Sequence, residues 1–420
     1  MLDDLSRVPE SPTEAKQRQQ IVATQIRRKL MDLVAVKETS RAAAAMRNPR
    51  AAYVDPDWFE AEQSQLFRKL PLLAGFSRDV AEPGDKMLFE AAGPSILIVR
   101  GKDRVVRAFL NMCPHRAATL VASCTSASRM TCPFHGWTFD LEGKLVGMPR
   151  KQGFEGIDPA EIGLLRVPVT EWHGMIFVIP RAGDSTIDIE AHLGAFSPEI
   201  AQIDFATAEA MATTRLEAAA NWKMAIDTFG ESYHLSVLHP DTVGRAAITD
   251  ILLYEGFAPH HRIAFPLLSM VDDVGKPEAN WPERPYSGIH LIFPNTLIHV
   301  TTLGPGHTYF VYRIFPSGLD SSFTLMTTYR SGDVPGDADR APWVQMHDYQ
   351  AMVVGTEDYS VVTGAQRNLA FAPDSFNLIY GNNEIALQAF HRAVARQIGR
   401  GSSDSSEGAE PVANPAERIS

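Results

Sequence analysis

All three cysteines of this 420-residue chain lie between positions 113 and 132. Two of them pair with histidines in short loops, Cys113-x-His115 and Cys132-x-x-His135, each stiffened by a proline, Pro114 or Pro133. A thiolate and an imidazole in each of two loops form a metal-ligand pattern. It has two readings: one zinc held by all four side chains, or a two-iron cluster with both cysteines on one iron and both histidines on the other. Ligand types alone do not choose between them. Context does: zinc fingers of this ligand set put both cysteines in one half and both histidines in the other, around a helix that reads DNA. Here each half mixes the two, in a β-rich stretch of an acidic protein. Cys124, between the halves, occupies no ligand position and reads as a packed or loop thiol.

A second group lies in N-W-K-M-A-I-D-T-F-G-E-S-Y-H-L-S-V-L-H-P-D, residues 221 to 241. On a helix Asp227, Glu231 and His234 fall at i, i+4 and i+7 and share one stripe. His239 sits about 140° away on an unbroken helix. For both imidazoles to reach one metal the helix must bend or end between them, and Pro240 is consistent with a nearby end. Two histidines and a carboxylate on one face, with open positions left over, is the ligand set of non-heme Fe(II) oxygenases. The helical stretch near 341 to 370 offers Glu357 and Asp358; adjacent helical residues diverge by about 100°, so only one points squarely at a metal.

The elements that must carry these groups follow from pattern. Residues 1–45, rich in Gln, Arg, Lys, Glu and Ala with a helical look around Gln17 to Val36, read as a flexible or partner-facing arm. Asp55 followed by Pro56 opens a helix in which Phe59, Leu66, Phe67 and Leu70 recur at helical spacing. From Gly75 to about Pro180 short strands such as I-L-I-V-R (96–100) and G-M-I-F-V-I (174–179) alternate with turns, giving a small β-rich domain around the cysteines. Beyond it, strands such as H-L-I-F (290–293) and T-Y-F-V-Y-R-I-F (308–315) mix with helical regions near 219–236 and 341–370, a larger α+β domain. Residues 401–420, rich in Ser, Gly, Glu and Pro, have the composition of a disordered tail.

Thirty-nine basic against fifty acidic residues give a net charge of -11, which argues against nucleic acid and anionic membranes as partners. No apolar run reaches the roughly 20 residues of a membrane helix, and the start M-L-D-D-L-S-R-V-P-E lacks the pattern of a secretion signal. An odd number of cysteines in a large chain is not a disulfide framework, so a cytoplasmic location is expected.

The runs C-P-H-R, C-P-F-H-G-W-T-F-D and L-E-G-K-L resemble the Rieske iron-sulfur domain of ring-hydroxylating oxygenases, and N-W-K, E-x-Y-H-x4-H, E-D-Y and F-H-R resemble the catalytic domain of the same enzymes. The likeness runs from about residue 50 to 395. It implies an α+β chain: a β-rich Rieske [2Fe-2S] domain with its leading helix over 46–182, and a helix-grip (START/Bet v1-like) catalytic domain with an antiparallel sheet over 183–400. It implies one [2Fe-2S] cluster on Cys113, His115, Cys132 and His135, and one mononuclear Fe(II) on His234, His239 and Asp358.

In that family an acid three residues before the first iron histidine links the two metal sites. Here it is Glu231, longer than the more frequent Asp, and its partner is His135. Asp227 matches a frequent acid, and for it and Thr228 there are two readings, substrate contact or simply capping or solvating the helix. The resemblance further implies a head-to-tail trimer, or a multiple of three, in which His135 and Glu231 meet across subunits. A ferredoxin or flavin reductase delivers electrons from NAD(P)H, and the iron uses O2 on a small organic substrate. Because no G-x-G-x-x-G follows a strand, the reductase is expected to be a separate protein. Apolar segments such as H-L-I-F-P-N-T-L-I-H-V suggest an aromatic or similarly hydrophobic substrate, with His299 as the pocket candidate; Arg262 and Arg330 read first as surface residues and second as partners for a substrate carboxylate. Monohydroxylation, cis-dihydroxylation and oxidative N- or O-demethylation all use the same iron.

Overall fold

The computed structural model describes residues 12–203, 205–281, 287–301, 308–331 and 339–401, with side chains from residue 21. The helix Pro12–Val36 overturns the expectation of an arm for the part of it that is described. Ile26, Leu30 and Leu33, at i, i+4 and i+7, are buried against Ile251, Leu253, Ala264 and Met270. Each such side chain contributes about 1.5–3 kcal/mol of burial. Arg27 joins Asp273 at 2.6 Å beneath them. The stripe is narrow and flanked by Gln, Arg and Lys, which hides it in the composition. Residues 1–11 of the expected arm and 402–420 of the expected tail lie outside the described residues.

Asp55 caps the helix Pro56–Glu62 through the Trp58 amide at 2.9 Å, with proline in its first turn. The chain then enters a β-rich unit. A five-stranded sheet runs in the order Arg166–Val167, Val106–Leu110, Ile96–Arg100, Asp85–Phe89, Thr125–Ser126. A small sheet of Met130–Thr131, Thr138–Phe139 and Leu145–Gly147 stands beside it. Between them Leu97, Val99, Phe109, Phe139 and Leu141 form a core that takes in Cys113 and Cys132.

The second unit is one seven-stranded antiparallel sheet. Its order is Glu209–Ala218, Ser321–Arg330, Thr308–Gly318, Thr296–Thr301, Ser287–Ile292, His260–Phe265, Leu253–Phe257. Strand residues alternate faces. One face carries Ile292, Ile298, Val300, Val311 and Tyr329 into a core shared with Phe205 and with Phe76 and Phe177 of the preceding unit. The other, with Ile263, Leu291, Leu297 and Tyr312, packs with the long helical run 341–371 and the helix Ile385–Gln397 into the main core. Helices gripping one face of an antiparallel sheet are the α+β arrangement that the sequence resemblance implied.

Two local departures matter for the site. The expected helix near 219–236 is Trp222–Asp227 only, capped by Asn221 through the Lys223 amide; the chain turns through 228–234 and makes one further helical turn, Leu235–Leu238. A helical turn does end between the two histidines, at Leu238, as expected, but a further break at 228–234 precedes His234, so Asp227, Glu231 and His234 do not share a stripe. Gly230 leaves room for Leu387, whose Cδ2 lies 2.2 Å from where a Cβ would stand, so a side chain there would push that leucine aside. The helix expected over 341–370 is present, but its middle, Val353–Asp358, is π-helical. Such one-turn widenings occur often at functional sites.

Candidate functional site

The two cysteine loops are built alike. In each, the amide four residues after the cysteine donates to the cysteine carbonyl: Ala117 to Cys113 at 2.9 Å, Gly136 to Cys132 at 3.0 Å. Each cysteine amide in turn donates to the carbonyl five residues on, Ala118 at 2.8 Å and Trp137 at 2.7 Å. Both loops pass through a left-handed residue, Ala117 at φ 56° and Gly136 at φ 72°. That conformation costs alanine about 1–2 kcal/mol and glycine nothing, so the first loop holds strain that its hydrogen bonds offset.

The sulfurs sit deep and the imidazoles at the rim. Cys113 and Cys132 are buried, His115 is half-buried and His135 exposed. The imidazole rings lie 4.7 Å apart, and Trp137 stacks on His115 at 4.8 Å. Burial pushes the Cys113 thiol up; backbone amides oppose this, and the neighbouring Cys132 thiol adds to the rise. Two buried thiols side by side are a poor place for negative charge until a cation binds. Among the described residues these four side chains do not close on a single point, as one tetrahedral zinc requires. Paired sulfurs below and paired imidazoles above suit a two-iron cluster.

The second centre gathers His234, His239 and Asp358, whose ligand atoms all lie within 4.8 Å of one another. His234 and His239 flank the single turn Leu235–Leu238, one at each end. Asp358 comes from 119 residues further along; its Oδ1 is 3.2 Å from His239 Nε2 and 3.6 Å from His234 Nε2. Each imidazole carries a second carboxylate on its other nitrogen. Glu231 Oε1 is 2.5 Å from His234 Nδ1, and Glu357 Oε2 is 2.5 Å from His239 Nδ1. With Nδ1–H donating to a carboxylate, each Nε2 keeps its lone pair facing Asp358, the orientation a metal needs. Glu231 also accepts the backbone amides of Tyr233 and His234, the latter at 3.1 Å. Thr242 donates to Glu357 at 2.8 Å. Burial lowers the His239 pKa, but hydrogen bonds to Asp358 and Glu357 outweigh it and leave His239 above its ordinary range. The pocket favours positive charge.

A regular helix would spread Glu357 and Asp358 by about 100° and send one of them away. The π-helical turn lets both face the site, on opposite nitrogens of one imidazole, and this role of Glu357 was not expected from the sequence.

Asp227 is not brought to this trio. It accepts hydrogen bonds from Tyr53 at 2.7 Å and Tyr380 at 3.2 Å and lies 2.8 Å from His391 Nε2. Burial, reinforced by Asp227, holds both phenols well above their usual range, so they remain donors. This network ties the end of the helix Trp222–Asp227 to the strand Asn377–Tyr380 and the helix Ile385–Gln397. Thr228 bonds back to the Ala225 carbonyl at 3.1 Å.

The pocket expectations are corrected in three places. Arg262 is engaged by Glu199 and Glu255, and Arg330 by Glu209, at 3.0 Å through Nε, so neither is set aside for a substrate carboxylate. His299 Nε2 is bonded to Ser287 at 2.9 Å. Instead His261 lines a small cavity beside Phe229 and Gly230, in the turn that leads to Glu231. The His260–His261 doublet held that information, since neighbours on a strand face opposite sides. Cys124 is exposed and takes no part in either centre.

Residues 71–166 match the family Rieske [2Fe-2S] domain, and residues 205–400 match the family Ring hydroxylating alpha subunit (catalytic domain). Among curated relatives, the carnitine monooxygenase oxygenase subunit of Acinetobacter baumannii is 31% identical over 195 residues, 46% of this chain and 52% of that protein. The biphenyl dioxygenase subunit alpha of Metapseudomonas furukawaii is 30% identical over 200 residues, 44% of this chain and 43% of that protein. The chain thus spans about half the length of the curated relatives it matches. A crystal structure of a quaternary ammonium Rieske monooxygenase with L-carnitine superposes with a TM-score of 0.71 at 22% identity, covering 84% of this chain and 95% of that one, which shows a shared fold. Among the described residues no helix is long and apolar enough to cross a membrane.

Proposed function

With a Rieske [2Fe-2S] domain joined to a ring-hydroxylating catalytic domain, the chain belongs to the alpha-subunit family of Rieske oxygenases. From that premise we propose that it is the terminal oxygenase of a multicomponent system in the cytoplasm, taking electrons from NAD(P)H through a separate reductase, with or without a ferredoxin, and using O2 to hydroxylate a small organic molecule. The observation that carries this reading is the convergence of His234, His239 and Asp358 in the same chain as two matched Cys/His loops.

The residues fit both groups. Cys113 and Cys132 hold one iron of the cluster and His115 and His135 the other; His234, His239 and Asp358 hold the mononuclear iron; the two centres fall in units of about 46–182 and 183–400. A cluster with two imidazole ligands supplies single electrons at higher potential than an all-cysteine one, and an iron with two histidines and a carboxylate supplies open positions for O2.

This chain's own residues do the positioning. Glu231 and Glu357 hold the two imidazoles, and Asp227 pins the turn that carries Glu231. His135, exposed at the rim, is placed to meet Glu231 of a neighbouring subunit in a trimer or a multiple of three. Oxygen uptake with a surrogate ferredoxin and reductase over a substrate panel tests the reading, and product mass separates one added oxygen from two. No uptake beyond uncoupled background with any neutral or cationic substrate counts against it. A second reading, oxidative demethylation, is supported by relatives named for carnitine; formaldehyde release is its signature.

A further inference from the structure

The helix Pro12–Val36 lies outside both stretches that match a family model, 71–166 and 205–400, yet it is built into the catalytic unit. Leu30, with no exposed surface, packs with Ile26, Met31 and Leu33 on Ile251, Leu253, Ala264 and Met270. Arg27 adds its buried ion pair to Asp273, and its guanidinium lies 5.1 Å from the Trp281 ring. Just past the helix the Ser40 amide donates to the Leu252 carbonyl at 2.8 Å, and the Ser40 hydroxyl accepts the Tyr254 amide at 3.0 Å. These bonds cover the edge of the outermost strand of the sheet, Leu253–Phe257.

What the helix grips leads back to the iron histidines. Leu267 and Ile248 pack at the margin of its apolar contact. Their segments are tied together: the Leu268 amide donates to the Ala246 carbonyl at 2.9 Å, the Ile248 amide donates to the Pro266 carbonyl at 2.9 Å, and Ala247 pairs with Leu267. Two residues before Ala246, the Gly244 amide donates to the His239 carbonyl at 3.1 Å, and the Thr242 amide does so at 3.2 Å. A Cβ on Gly244 would stand 2.6 Å from the His239 carbonyl oxygen and would collide with that of Leu235 as well. Both are backbone atoms, which cannot swing aside as a side-chain tip can. The turn they belong to runs between His234 and His239. Residues 242–248 therefore form a brace seated on the ligand turn, and the N-terminal helix clamps its far end. Supports of this kind, which orient metal ligands without touching the metal, change affinity by about 10- to 100-fold when removed.

Resting on the reading of His234, His239 and Asp358 as an iron site, we propose that the N-terminal helix is a positioning element of that site: docked, it holds the brace 242–248 on the ligand turn and fixes His239, and undocked, it frees the brace and loosens the hold on iron. The test reads hydrogen exchange and anaerobic Fe(II) chelator competition on the same holoprotein preparations. Leu30→Asp puts a charge where no surface is exposed and frees the helix. Amides of 21–36, 242–248 and 266–270 then exchange faster while Thr308–Gly318 stays protected, and affinity for the mononuclear iron falls by about tenfold or more with the visible spectrum of the cluster unchanged. Leu30→Ala gives the same pattern more weakly, and Leu30→Met, of similar volume, keeps native values. Gly244→Ala lowers iron affinity while the helix stays protected. Combined with Leu30→Ala it costs less than the product of the two single losses, because both act through one brace. Where Leu30→Asp does not fold, Leu30→Ala decides by the same readings. Native iron affinity with the helix freed, unchanged exchange at 242–248, a helix that exchanges no faster, losses that multiply in the double variant, or loss of the cluster together with the iron overturns the proposal. Native protein that takes no third iron, but whose freed helix still loosens 242–248, sinks the iron-site reading and leaves the brace standing; a third iron held with native affinity after the helix is freed sinks this proposal alone.

Discussion

Glu357 Oε2 lies 2.5 Å from Nδ1 of His239, on the side of the ring opposite Asp358. The imidazole is therefore held between two carboxylates from consecutive positions of one helical run, an arrangement that depends on the π-helical turn Val353–Asp358. A metal-ligating histidine whose other nitrogen donates to a carboxylate is fixed in tautomer and orientation and is a stronger ligand.

Glu357→Gln weakens that grip without removing a ligand. Affinity for the mononuclear iron falls by about 10- to 100-fold in chelator competition, while the visible spectrum of the cluster is unchanged. Unaltered iron affinity would show that Glu357 has no part in holding His239.

Glu231→Gln separates assembly from electron delivery. With Fe(II) supplied in excess to offset the weaker hold on His234, the variant carries both metal centres, because the amide oxygen still accepts the Tyr233 and His234 backbone groups, yet coupled turnover drops by roughly tenfold or more. Rapid-mixing reoxidation of the reduced cluster reads the slowed step directly, and a native rate contradicts the bridging role.

Lys223 and Glu62 form a fully buried ion pair at 2.5 Å, with Trp222 Nε1 donating to the same carboxylate at 2.8 Å. It joins the helix leading into the first unit to the helix that starts the iron segment. Lys223→Met strands the carboxylate in the core and lowers stability by about 3–5 kcal/mol in urea unfolding. A loss under about 1 kcal/mol shows that water reaches the pair.

Acidification is expected to unfold the chain through three neutral histidines, the buried His261 and the half-buried His192 and His299. Burial lowers His261 to about 3 and His192 and His299 to about 4, whereas in the unfolded chain all three titrate near 6.5. Below pH 6.5 the unfolded state takes up protons that the folded state refuses. Stability contributed by these groups is thus present above about 6.5 and falls as the pH drops towards 4, by about 1.4 kcal/mol per pH unit for each imidazole. Denaturant titrations at pH 7 and 5 check this, and His261→Leu should make the slope shallower. An unchanged slope in that variant shows that His261 is hydrated in the folded state.

Much of this was legible because the decisive residues are close in sequence. Cys113 with His115, Cys132 with His135, and His234 with His239 lie within loops of a few residues, where spacing alone limits geometry. Asp358 lies 119 residues from His239, and its place came from resemblance, since no local pattern links the two. Glu357 was hidden by the assumption of a regular helix. The docked residues 21–36 were hidden because Ile26, Leu30, Met31 and Leu33 are interrupted by Arg27, Arg28, Lys29 and Asp32 and make a stripe only once the sheet is there to meet it. His261 and His299 occupy the same face of the sheet. What separates them is the Ser287 hydroxyl, supplied by strand register, which composition does not reveal.

Iron quantification on anaerobically purified protein, native and Asp358→Ala, tests the central claim most directly. The native chain should be red-brown and hold about three irons, two in the cluster and one at His234, His239 and Asp358, and Asp358→Ala should hold about two with the cluster spectrum intact. A colourless zinc protein, or three irons retained without Asp358, contradicts the account.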